Sequence, residues 1–133
     1  MEEKLVSYEL AMLAKESGFD ILCEFAYQKG EVVCDTRFSE HFNWNILSHV
    51  DASAPTQSLL QKWLRDKHEI HVFIIPCEPY SFSKYKDMDV VWIYDIYKPL
   101  LLEYGHQNKN EFLTYEDALD ACLFECLGLI NKN

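Results

Sequence analysis

The chain has little of what loosens or punctuates a backbone. Among 133 residues there are four glycines and four prolines. The glycines, at 18, 30, 105 and 128, are too few and too scattered to cradle a phosphate, and no Walker loop, GxGxxG or GxSxG is present. No repeat, low-complexity run or flexible linker appears. No apolar stretch approaches the roughly 20 residues of a membrane helix. The opening "MEEKLVSYEL" is acidic and lacks the apolar core of a signal peptide, so a cytoplasmic location is expected. Positive charge is also scarce: 12 Lys and Arg stand against 22 Asp and Glu, a formal net charge of −10. Neither half of the chain is basic. Affinity for nucleic acid rests on cations that neutralise phosphates, so direct DNA or RNA binding is not expected, nor is binding to an anionic membrane. Such a balance suits a basic protein partner or simple solubility. The five cysteines, at 23, 34, 77, 122 and 126, form no CxxC pair, and reduced thiols are expected.

What is present points to a folded domain. Hydrophobic residues make up 49% and aromatics 14% of the chain, too much for disorder. A single domain over 1–133 fits, burying roughly two-thirds of the surface of the unfolded chain. Residues 8–17 read as a helix, with Ser7 as N-cap, a stripe of Leu10, Leu13 and Ala14, and Gly18 at a left-handed end. Residues 21–34, "ILCEFAYQKGEVVC", read as a hairpin turning at Lys29-Gly30. Residues 35–52 have no clean period and read as an irregular connection with room for a short strand. Ser53 and Pro55 suit the start of a helix that runs to about His68, with Leu59 and Trp63, and Leu60 and Leu64, paired at i,i+4. "IHVFIIPC" then changes the period. Being almost entirely apolar, it reads as a central strand covered on both faces. "DVVWIYDIY", 89–97, is the next strand, joined to the last by a hairpin loop at 78–88. "LLLEY" offers one more strand before a polar "GHQNKNE" loop. The final helix starts at Thr114 with Asp117 in a capping-box position and carries a stripe of Leu119, Cys122, Leu123, Cys126, Leu127 and Ile130, while Glu116, Asp120 and Glu125 point away. The expected fold is α+β: an antiparallel sheet of four to five strands with three helices mainly on one face.

Reactive residues are present without a reactive pattern. Cys122 and Cys126 share a helical face with apolar neighbours, so packing is favoured over metal binding; a zinc site would need two further ligands, such as Cys23 and Cys34. "HEIH" is not HExxH, since a helix–strand boundary is expected between His68 and His71. Asp95, between Ile93 and Tyr97, reads as an edge residue or the partner of a tyrosine. No catalytic, cofactor or metal residue is assigned, and no cofactor is expected.

Three stretches nevertheless carry a resemblance. "EEKLVSYELAMLAKESGFD", "SAPTQSLLQKWLRDKHEIHV" and "LTYEDALDACLFECLGLI" resemble a family of small, uncharacterised proteins of gut Bacteroides-type bacteria, often in prophage or mobile-element settings. The likeness covers about half of the chain. It implies a bacterial or phage context but no activity, so no site residue transfers from it.

The leading expectation is a non-enzymatic accessory protein that works through a protein partner. Phe38, Phe42, Trp44, Tyr80, Phe82 and Tyr85 lie in the two least regular segments, where exposed aromatics would dominate binding. Lys62 and Arg65, on the outer side of the middle helix, complete the candidate surface. Two alternatives differ in class: an acidic inhibitor imitating DNA, or a small enzyme with a Cys, His or Asp pocket. Self-association is left open by the composition.

Overall fold

A computed structural model describes residues 4–34, 42–99 and 103–131, with the backbone alone for 103–109. The fold is α+β, as the pattern implies. In chain order the elements are α1 (Tyr8–Glu16), β1 (Phe25–Gln28), β2 (Glu31–Val33), a 3-10 turn (Trp44–Ile46), β3 (Ala52–Ala54), α2 (Gln57–His68), β4 (His71–Cys77), β5 (Val91–Lys98), β6 (Glu103–Phe112) and α3 (Tyr115–Ile130). No helix among the described residues is long and apolar enough to cross a membrane.

The strands divide between two antiparallel three-stranded sheets, ordered β2-β1-β3 and β4-β5-β6, instead of forming one. The reason lies at the end of β3. Beyond it, Pro55 accepts a hydrogen bond from Val6 N–H (3.0 Å) and Gln57 N–H donates to the Lys4 carbonyl (2.9 Å), so the segment after β3 is already partnered by the N-terminal residues. Helix α2 then carries the chain away to the second sheet. One buried cluster still joins residues of both sheets, including Ala26, Ala52, Tyr94 and Ile96, with Leu10, Leu64 and Leu123 from the three helices. Helix α3 touches all three strands of the second sheet as well as α1 and α2, while α1 packs on β3.

Local chemistry explains most boundaries. The Ser7 hydroxyl accepts from Leu10 N–H, capping α1, and Gly18 follows its end at φ +91°. The β1–β2 hairpin turns on Lys29 (φ 53°) and Gly30 (φ 79°), the two positive-φ residues that a tight hairpin with right-handed strand twist requires. Thr114 caps α3 by accepting from Asp117 N–H.

Several elements depart from the pattern. Helix α2 starts at Gln57 and is capped by Thr56, whose hydroxyl accepts from Leu59 N–H; Ser53 belongs to β3 and is buried. Its hydroxyl caps nothing and instead accepts from Trp44 N–H at 3.1 Å. The polar 105–111 segment lies within β6 and is not a loop, because ladder pairing to β5 satisfies its backbone whatever its side chains. Residues 100–102 of "LLLEY" lie outside the described residues. The apolar β4 is an edge strand, not a central one: its one partner among the described strands is β5, and none of its seven residues is buried. Glu125 does not point into solvent; its Oε2 is buried without a partner among the described residues.

Candidate interaction surface

At one end of the second sheet, the loop from β4 to β5, the end of β6 and the start of α3 come together. Their convergence follows from the register: Cys77 pairs with Val91, and Trp92 pairs with Phe112 two residues before Thr114 caps α3. The loop is held as a chain of turns. Ser83 N–H donates to the Tyr80 carbonyl (2.9 Å), Lys86 N–H to that of Ser83 (3.2 Å), and Met88 N–H to that of Tyr85 (2.9 Å). The Ser83 hydroxyl also accepts from Tyr85 N–H at 2.9 Å, a local bond that favours turns. Tyr80 N–H donates to Glu111 Oε2 at 2.9 Å, tying the loop to β6.

This bracing presents apolar side chains to solvent. Phe82 is 99% exposed, and Tyr80, Met88, Val90, Leu113 and Tyr115 are each 40–50% exposed. They are six of the thirteen large hydrophobics found exposed among the described residues. Tyr115 stands edge-on to Trp92 at 5.6 Å, so the rigid sheet supports the rim. Lys84 Nζ sits 5.0 Å from the centre of the Tyr85 ring. Tyr85 is half-buried and lines a shallow hollow with Ser83, Lys84, Asn110, Glu111 and Phe112.

The other expected contact residues disperse. Phe38 lies outside the described residues. Trp44 is not a surface residue as its irregular segment suggests: it is buried, its indole N–H donates to the Cys23 carbonyl at 2.9 Å, and it cannot meet a partner. Phe42 is half-buried, edge-on to Trp44 at 5.7 Å and bridged to Cys23, so it closes the core over the first sheet. The turn that carries Trp44 is held by Asn45, which donates to the Phe19 carbonyl (2.8 Å) and accepts from Ser53 N–H (2.8 Å), pinning an irregular segment from within. Lys62 and Arg65 are exposed and line a separate cleft of about 650 Å³ with Leu22, Phe25, Pro55 and Leu59. Lys62 donates to Asp66 at 2.7 Å, and that hydrogen bond holds the Asp66 carboxyl below its ordinary range. Tyr85 and the α2 cations therefore line different hollows.

Reactive groups are occupied with packing. Hydrogen bonding to Cys126 and burial push the Cys122 thiol far up; burial pushes the Cys23 thiol up to about 12, against a lowering bond from Ser53. A thiol held protonated is a poor nucleophile and a poor metal ligand. Cys34 is exposed, and no group of three or more metal-ligating side chains gathers among the described residues. His68 ends α2 with its ring 4.8 Å from that of Trp63, whereas His71 opens β4 facing Tyr97 at 6.1 Å. Burial, then Lys98 and Lys67, lower the pKa of His68. Asp95 lies on the central strand β5, not at an edge, opposite Phe73 and Gln107, with Oδ1 buried and unpartnered among the described residues.

Protein-family models, curated proteins and solved structures give no match to this chain.

Proposed function

We propose that the protein is a non-catalytic accessory factor, of phage or mobile-element type in a bacterial cytoplasm, that binds a protein partner through the apolar end of its second sheet. The observation that carries this reading is the braced loop that exposes Phe82 with Tyr80, Met88 and Val90 beside Leu113 and Tyr115. Exposed apolar side chains gathered in one place mark interaction sites, and a preordered loop loses less entropy on docking. The raised thiol pKa values favour binding over catalysis. Lys62 and Arg65 line the cleft beside α2 and serve as a subsidiary contact for acidic groups of the same partner.

The test is affinity capture from a bacterial lysate with the wild type and the double variant Tyr80→Ala, Phe82→Ala. The expected result is loss of one specific protein from the captured set with an unchanged circular dichroism spectrum. Recovery of the same set by both forms would sink the reading. Lys62→Ala with Arg65→Ala should weaken capture by a smaller factor.

A further inference from the structure

Strand β4, His71–Cys77, is composed like a buried strand and placed like an exposed one. Its sequence, HVFIIPC, contains no Asp, Glu, Lys or Arg in a chain that has 34 of them. Both neighbours of a central strand would cover such a composition, yet β4 has a neighbour on one side alone among the described strands. Phe73 is 52% exposed, and the residues flanking it are at most half-buried. Natural edge strands are usually short or carry inward charges and lysines that block further pairing. Over seven residues β4 has a single blunting device, Pro76, which lacks one N–H donor near its end.

We infer that the free edge of β4 pairs antiparallel with the β4 edge of a second copy, joining two three-stranded sheets into one of six strands. The lack of charge on the edge suits a second copy as the occupant: two chains of net charge −10 repel, and a strand without a charged residue lets them meet with no like charges in contact. An antiparallel edge is also self-complementary, as a two-fold interface demands. With the two-fold axis at Ile74, Phe73 of each copy lies beside Ile75 of the other on the outer face, and His71 lies beside Cys77. Each copy gives the other the missing neighbour, and unpaired backbone groups of both edges are satisfied together. The apolar loop end described above begins beyond Cys77, past the last paired residue of each strand.

Sedimentation equilibrium over a range of concentrations tests the inference. The wild type should sediment at twice the 15.7 kDa chain mass at high micromolar concentration and dissociate on dilution. Phe73→Lys, at a half-exposed position the monomer can tolerate, should raise the dissociation constant at least about tenfold by placing like charges across the axis. Phe82→Lys should leave it unchanged. Amide exchange on the wild type gives a second readout that needs no variant: protection of β4 should rise with protein concentration, while that of β2 should not. A wild type that stays at one chain mass, or a dimer whose β4 amides exchange equally at all concentrations, would overturn the inference.

Discussion

Strands β4 and β5 are neighbours in one sheet with opposite relations between composition and burial. β5 carries Asp95 and Lys98 and still buries Val91, Tyr94 and Ile96; β4 carries no charge and buries nothing. Apolar content reports the demand for cover, whereas position in the sheet decides whether one chain supplies it. β5 has β4 and β6 on its two sides and α3 over one face. β4 has helices α3 and α2 against it as well, but a strand on one side alone among the described strands. Phe73, Ile75 and Tyr97 share the face away from the core cluster, where the same register that buries Ile96 and Tyr94 leaves their opposites toward solvent.

The largest effect expected from this contrast is in the core. Ile96→Ala should cost about 2–5 kcal/mol, since deletion beneath α3 removes buried methylenes and leaves a cavity. Phe73→Ala should cost under about 1 kcal/mol when urea unfolding is followed at a concentration low enough to keep the chain monomeric. Equal losses would break the contrast. Next is Asp95, the charged residue inside β5. Its Oδ1 is buried and unpartnered among the described residues, so Asp95→Val should raise stability by about 1–3 kcal/mol, read as a higher urea midpoint at constant slope.

Thiols extend the comparison to chemistry. A charged alkylating reagent should modify Cys34 fast and Cys77 of β4 slowly in the native state, and Cys23, Cys122 and Cys126 after unfolding, counted by mass spectrometry. The same burial fixes the sign of a pH effect. The Cys23 pKa is raised from 9.0 to about 12 on folding, so its contribution is complete below pH 9 and is lost as the pH climbs toward 12. The unfolding free energy from urea titration should fall across that window, by up to about 1.4 kcal/mol per pH unit for such a group. The smallest effect lies where the chain enters β4. Glu69 ends α2 in the left-handed region at φ 55°, so Glu69→Gly should stabilise by about 0.5–1 kcal/mol, visible as a small rise in melting temperature.

The helices and the first hairpin were legible because their signals are local. Ser7, Thr114 and the Lys29-Gly30 turn act within a few residues of themselves. The strand order was not. Whether "IHVFIIPC" is central or at an edge depends on pairing with residues tens of positions away, and composition pointed to the centre. The polar β6 was hidden for the converse reason, since its ladder bonds need no apolar side chains. For the surface, residue type picked out the loop aromatics as a group, and Tyr80 and Phe82 among them reach solvent. It could not separate them from Trp44, whose irregular segment is held inward by Asn45 and Ser53. The exposed Leu113 and Tyr115 were missed because they follow β6 and begin α3, where an apolar residue ordinarily reads as packing. Their one available signal was adjacency to the cap at Thr114.

The three tryptophans divide the molecule optically. Trp44 reports the corner of the first sheet, Trp63 the junction of α2 with Phe19, and Trp92 the sheet end beside Tyr115. In single-tryptophan variants, quenching at residue 92 alone would register a docked partner, while emission from 44 and 63 would follow the melting of the shared interior from two of its sides.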